Sequence, residues 1–456
     1  LADACGVMGI YGRDPCAQTL HWGLHALQHR GQRFGGMAVA NEKDMSLLVR
    51  SGLVDEWPPQ EVRALEGNIG IGHVSRREAQ PVKHRSRFGQ MAVCFSGKLT
   101  NASEVLAAML AEGRSFAEGS QTEVLSKVIG SRRDVAEGLT EVFSVFEGAF
   151  SLLVVAGDAL YAARDPYGRR PLVLGWAQGQ WAVASESRAL HGLDFLVKRD
   201  LAPGEILRID AEGITPCHQA PSPRRAHCAF EWAYIASQDS MLEGIWVRDA
   251  RKRMGRALAD RDAAEDLDAD VVAPVPRSGI GSALGYQAES GLPYEEVFLD
   301  LRSARWQDSD SDSCSDPGPH SLALSVVRPA VKDRRIVLCD DSLVRGAQIQ
   351  TRVRELRAAG ASEVHVRVAC PPLMLPCEFG SSNHKAGEFM ARQLVPDGLI
   401  RDDDHLRKVA DDAARLVGAD TLRYNTIEDF VDAVGIEEKD LCLGCIHKRP
   451  EENTRT

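Results

Sequence analysis

Four cysteines scattered over more than half the chain, Cys228, Cys377, Cys442 and Cys445, constrain the fold more than any other feature. The last two form the run LCLGC near the end of the sequence. A Cys-x-x-Cys pair that holds an inorganic centre needs further ligands, and here they must come from distant segments. Four thiolates suit a [4Fe–4S] cluster, which would oblige the chain to fold its C-terminal part back onto two earlier regions. The same spacing serves zinc or a redox disulfide about as often, so the pair alone leaves all three open.

The remaining composition is that of an ordinary globular protein. With 456 residues, 44% hydrophobic and 26% charged, the chain can build two or three domains with substantial cores. A net charge of −11 argues against nonspecific nucleic-acid binding, and no apolar run reaches the length of a membrane span. No signal peptide is expected from the residues up to Ala4, although a start at Leu1 rather than Met leaves room for a short trimmed leader. Eleven cysteines are too sparse for a secreted disulfide scaffold, and a thiolate cluster needs a reducing compartment, so the cytoplasm is expected. Cys16, Cys94, Cys217, Cys314, Cys339 and Cys370 carry no motif, and no histidines fall into a metal-ligand spacing.

Up to about residue 218 the sequence alternates short strands with a few helices. GGMAVA, GNIGIGHV, QMAVCFSG, AFSLLVVAG, ALYAARD and WAVASES are apolar, glycine-punctuated strand candidates, and residues 17–30 and 102–112 have helical spacing. The pattern predicts a layered α+β domain over 1–218. The Pro-rich run QAPSPRRAH, Gln219 to His227, marks its end. A helix running through Arg253 is expected next. ADVVAPVP and RIVLCDD then read as buried strands, each followed by a loop and a helical stretch, the doubly wound α/β pattern over 228–400 with ligands at the strand ends. Residues 401–456 form a C-terminal segment carrying the last two cysteines. The acidic, serine-rich run from Gln307 to Ser321 is expected to be mobile.

The motifs together narrow the choice. HCAFEWAYIASQDSMLEGIWVRDARKRMG around Cys228, CPPLMLPCEFG around Cys377 and LCLGC resemble the iron–sulfur class of glutamine phosphoribosylpyrophosphate amidotransferases. CGVMGIYG, ALQHRGQ, ARDPYGRRPLVLG, ASESRAL, LAPGEILRI, PVPRSGIGSALGY, SGLPYEE and IVLCDDSLVRG follow in the order of that family. The resemblance implies an N-terminal glutaminase domain of the Ntn-hydrolase type, a phosphoribosyltransferase-type domain after it, and a homo-oligomer. It also implies that Cys228, Cys377, Cys442 and Cys445 ligate a [4Fe–4S] cluster, here a structural staple.

The transferase centre is expected at IVLCDDSLVRGAQ. A strand ends in Asp340 and Asp341, and a Ser/Gly loop then opens a helix near Ala347. Paired carboxylates at a strand end can hold ribose hydroxyls and help orient hydrated Mg²⁺, while loop amides and the helix N-terminus cradle a phosphate. By resemblance, Asp340 and Asp341 take the ribose, and Ser342, Arg345, Gly346, Ala347 and Gln348 surround the 5-phosphate. The family has two threonines where this chain has Ala347 and Gln348. In PVPRSG, with Ser278 and Gly279, Arg277 replaces the family's acid, and an arginine there can pair with pyrophosphate oxygens and stabilise the leaving group. The loop that closes over the donor corresponds to Arg302 through Pro319, with Arg302 and Arg305 as phosphate contacts.

The glutaminase motifs are altered far more. An Ntn nucleophile uses its own α-amino group as base, yet Leu-Ala-Asp-Ala precedes Cys5. Ser96-Gly97 stands where the family's oxyanion hole has Asn-Gly, and loss of such a donor costs on the order of 10²–10³ in rate. Ser75, in HVSRRE, occupies the position of the arginine that clamps the substrate carboxylate. Gln121 occupies that of the aspartate that holds its ammonium. These changes predict a phosphoribosyltransferase that uses phosphoribosyl pyrophosphate and a nitrogen acceptor other than glutamine-derived ammonia. A purine-like or 7-deazapurine base in nucleoside natural-product synthesis is the foremost candidate. Two other readings stand beside it: an amidophosphoribosyltransferase using ammonia or glutamine, and a noncatalytic regulatory paralogue.

Overall fold

The computed structural model describes residues 5–41, 43–300, 324–380 and 385–447. Its N-terminal part stacks a seven-stranded sheet on a six-stranded one, both antiparallel throughout. Alternation within strands builds the layers. In Gly89–Leu99, Ala92 and Cys94 face the other sheet, packing in a core that includes Val7, Ile71 and Leu153, whereas Met91, Val93 and Phe95 face the helices Gln121–Ser131 and Val135–Val145. Helix Ala17–Ala26 covers the outer face of the first sheet through Leu20 and Leu24. Helix, sheet, sheet and helix thus form the four layers of the Ntn-type fold.

The second part holds a four-stranded parallel sheet, in the order Val271–Pro274, Arg335–Asp340, Glu363–Val368 and Thr421–Tyr424. Its strands are buried on both faces, as parallel sheets require. Ile336 and Leu338 join the core beneath helices Ala347–Ala358 and Asp403–Val417; Val337 and Cys339 meet helices Val247–Ala264 and Ile280–Ser290 on the opposite side. Among the described residues no helix is long and apolar enough to cross a membrane.

The helix expected through Arg253 forms as Val247–Ala264, but it does not follow directly on the Pro-rich run. Glu231–Ile235 makes a five-residue π-helical turn, two short strands pair as a hairpin (Met241–Leu242 and Ile245–Trp246), and only then does Val247–Ala264 begin. Glu243 and Gly244, with φ of 50° and 76°, turn the hairpin in a left-handed conformation that no α-helix accommodates. The acidic run around Ser311, together with Arg302, Arg305 and Cys314, lies outside the described residues.

Candidate functional site

The acid pair sits at the C-terminal end of the central parallel strand, where the sheet offers backbone groups to a ligand. Val275 N–H donates to the Cys339 carbonyl at 2.8 Å, so the PVPRSG loop lies directly on this strand end. Gly279 makes that approach possible, since a Cβ there would stand 2.0 Å from the Cys339 carbonyl oxygen. Ser278 Oγ donates to Asp340 Oδ1 at 2.8 Å, and Ser342 Oγ donates to Asp341 Oδ1 at 2.6 Å. Asp341 Oδ2 remains buried without a hydrogen-bond partner. Burial raises both carboxyls, and the charge of Asp340 raises Asp341 further. A buried acceptor of this kind, beside a second carboxylate, is suited to a sugar hydroxyl or a cation's hydration shell.

Gly346 caps helix Ala347–Ala358 with φ of 81°, a conformation open to glycine, and thereby starts the helix at Ala347 and Gln348. Two of the four arginines expected on phosphates are each engaged with an acid: Arg277 Nε lies 2.8 Å from Asp300 and Arg345 Nη2 lies 2.5 Å from Glu388. Arg277 itself adopts a left-handed φ of 69°. Arg302 and Arg305 lie outside the described residues.

Two residues that the sequence reading passed over border the acid pair. Arg251 is buried on the apolar stripe of Val247–Ala264, and donates to the Trp232 and Ala236 carbonyls at 2.9 and 2.7 Å. Its charge acts on Asp341. An arginine in register with Val247, Met254 and Leu258 was the signal that could have found it. Tyr234, on the turn that Arg251 holds, has a phenol raised by burial and by Asp341 and Asp340, with Arg76 of the N-terminal part acting the other way. The residue is 41% exposed. Tyr234 thus feels charges from both the acid pair and the segment after Ser75.

At those motifs the side chains are engaged locally. Ser75 Oγ donates to the Glu78 carbonyl at 2.6 Å, Ser96 Oγ donates to the Cys5 carbonyl at 2.6 Å, and Gln121 Oε1 accepts from Leu99 N–H at 3.0 Å. Arg30 is buried in an ion network: Nε lies 2.5 Å from Glu186, Nη2 pairs with Glu231, and Arg170 reaches Glu231 at 3.4 Å. Burial alone would raise Glu186, but Arg30 and His29 outweigh it and hold the carboxyl far below its usual range.

The four cysteines converge. Cys228 and Cys442 are register partners in a short parallel pair, and the Cys445 carbonyl accepts from Met374 and Leu375 N–H at 2.9 and 3.1 Å, just before Cys377. Burial pushes the Cys445 thiol up, with Cys377, Cys228 and Cys442 adding to it; burial also raises Cys228, against the pull of Arg170. Among the described residues no three acidic, histidine or cysteine side chains are grouped for a single metal ion. A four-thiolate cubane spreads its ligands more widely than one ion does, so the all-sulfur donor set and its mutual electrostatic reach fit a cluster.

Residues 67–192 match a family described as a glutamine amidotransferase domain. Over 97% of its length the chain is 34% identical to the amidophosphoribosyltransferase of Methanothermobacter thermautotrophicus, of which it covers 94%. It is 32% identical to that of Bacillus subtilis, with 98% and 93% of the two chains covered. The solved glutamine phosphoribosylpyrophosphate amidotransferase of B. subtilis, complexed with ADP and GMP, superposes with a TM-score of 0.87 at 31% identity, covering 98% of this chain and 97% of that one.

Proposed function

The chain belongs to the amidophosphoribosyltransferase family and is an enzyme of the pentosyltransferase class, and we propose that it transfers the 5-phosphoribosyl group of phosphoribosyl pyrophosphate to a nitrogen acceptor other than glutamine-derived ammonia. In this reading residues 228–400 carry the transfer, 1–218 are a glutaminase-type domain without glutaminase activity, and 401–456 complete the cluster site. The carrying observation is the engagement of Ser75, Ser96 and Gln121 with backbone groups, at the three positions where glutamine would need charge clamps and an oxyanion donor. As long as Leu1 to Ala4 precede it, Cys5 has its nitrogen in a peptide bond and cannot use it as a base.

At the transferase centre, Asp340 and Asp341 hold the ribose hydroxyls and would help hold hydrated Mg²⁺, which would supply positive charge to the pyrophosphate. Ser342, Gly346, Ala347 and Gln348 offer loop amides and the helix N-terminus to the 5-phosphate. Arg277, released from Asp300, and Arg345, released from Glu388, approach phosphate oxygens; Ser278 and Gly279 keep the pyrophosphate loop against the strand end. Tyr234 supplies a half-exposed aromatic face beside the acid pair, suited to a flat acceptor such as a purine-like or 7-deazapurine base.

The names of the relatives favour a second reading, in which the product is phosphoribosylamine made with ammonia or, after removal of the residues before Cys5, with glutamine. Incubation with phosphoribosyl pyrophosphate, Mg²⁺ and, separately, ammonium, glutamine or a 7-deazapurine, followed by pyrophosphate release and product mass, separates the two. A ribosylated base supports the first reading; turnover only with ammonium or glutamine overturns it.

The four cysteines are read as ligands of a [4Fe–4S] cluster that ties Cys228 and Cys377 to the C-terminal segment. Anaerobically purified protein should be brown with near-stoichiometric iron and sulfide, and Cys442→Ser should lose both colour and solubility. Colourless, folded protein containing zinc would refute the assignment.

A further inference from the structure

The loop Arg164–Pro171 belongs to none of the glutaminase or transferase chemistry above, yet it is held by hydrogen bonds of its own. The buried Asp165 shapes it. Its carboxylate accepts from Tyr167 and Arg169 N–H at 3.0 and 3.1 Å, and its carbonyl from Gly168 N–H at 2.9 Å. This turn delivers Arg169 and Arg170 together to the segment that follows Cys377. Arg170 Nη2 donates to the Phe379 carbonyl at 3.1 Å. The Arg169 guanidinium lies between two rings, 3.9 Å from the centroid of Tyr167 and 4.1 Å from that of Phe379. From the adjoining sheet Lys98 Nζ donates to the Glu378 carbonyl at 3.0 Å. The Arg169 carbonyl accepts from Cys228 N–H at 3.3 Å, so the same loop touches a second cysteine segment.

Charge adds a reason for this convergence. Arg170 is buried, and its guanidinium feels the Cys228 and Cys377 thiols and Glu231. A cubane ligated by four thiolates carries net negative charge, and in a buried site a nearby cation acts with little screening. Glu231 offsets part of the Arg170 charge but is shared with Arg30.

We propose that Lys98, Arg169 and Arg170 form a cationic clamp by which the N-terminal half positions the Cys377 segment and balances the charge of the cluster. The inference rests on the cluster reading given above. It gives this half a task independent of glutamine: without it one ligand segment loses its anchor and the cluster its buried counter-charge. The three are positioning residues, acting through the ligand segment and the field.

The test uses full-length, anaerobically reconstituted protein and three readouts: iron per chain, cluster midpoint potential, and the rate at which the cluster absorbance bleaches in air. Arg170→Gln keeps a donor for Phe379 but removes the charge, so the potential should fall, because the more negative reduced form loses its cation, and bleaching should quicken about tenfold. Arg170→Lys should restore most of both. The double variant Lys98→Met with Arg169→Leu should bleach several-fold faster with a smaller change in potential, since it loosens the segment and leaves Arg170 in place. If Arg170→Gln fails to fold, the double variant decides. A parental potential and lifetime in Arg170→Gln, or an unchanged bleaching rate in the double variant, overturns the clamp alone. Iron-free parent protein overturns the cluster reading and the clamp together.

Discussion

The two centres differ in how they treat their polar side chains. At the strand end of the parallel sheet, Asp341 keeps a buried oxygen unpaired and its carboxyl is raised by burial and by Asp340, a state that costs stability until a proton or a ligand relieves it. At the glutaminase-type motifs, Ser75, Ser96 and Gln121 each spend their side chain on a neighbouring backbone group. Unsatisfied buried groups mark positions maintained for binding, whereas groups closed into turns and strand contacts stabilise the fold and offer little to a substrate. One centre holds capacity in reserve; at these three positions the other has turned it inward.

The sharpest way to break this contrast is Asp341→Asn, which keeps the shape and removes the charge. Pyrophosphate release should fall by on the order of 10²-fold or more with folding intact, measured alongside circular dichroism; an unchanged rate would relocate the active site. Arg277→Ala should cost less, about tenfold in turnover, because Arg277 must first leave Asp300. Equal turnover in parent and variant would leave Arg277 only its ion pair.

A third test addresses the seam between the halves. Asp200, on strand Leu196–Asp200, faces Glu243 of the following hairpin, and burial together with Glu243 raises its carboxyl to about 7. Because the folded state holds this proton more tightly than the unfolded chain, the native protein loses stability as pH rises from about 4 through about 7. Asp200→Asn retains an acceptor for Glu243 N–H, so its melting temperature relative to the parent should rise between pH 5 and pH 8, by about 2–4 °C. The opposite trend would mean that Arg164 dominates the pair. The smallest expected effect is that of Cys5→Ala: transfer to the acceptor should stay within about twofold, and glutamine hydrolysis should be undetectable in variant and parent alike. Measurable glutaminase activity in protein that retains Leu1 to Ala4 would erase the contrast between the two centres.

Much of the scaffold was readable along the chain because it depends on local periodicity. Apolar, glycine-punctuated runs such as QMAVCFSG marked strands such as Gly89–Leu99, and the helix expected over 102–112 forms as Ala102–Ala111. The acid pair was legible because a buried strand running into Asp-Asp and a glycine loop is itself a local signal. Local cues did not mark where the helix through Arg253 starts, because a left-handed hairpin turn at Glu243 and Gly244 precedes it. Arg251 escaped notice because its task, bonding the Trp232 and Ala236 carbonyls, exists only once two segments are packed together.

The sequence by itself thus determined which residues could do chemistry: the cysteines, the paired aspartates and the substitutions at positions 75, 96 and 121. Only the tertiary structure decided what those residues face. That Ser96 closes on the Cys5 carbonyl, that Arg277 rests on Asp300, and that Arg169 and Arg170 reach the segment after Cys377 are contacts between residues far apart in the chain. The physical reason is that periodicity reports which face of an element is buried, while the partner across that face is set by how whole layers dock.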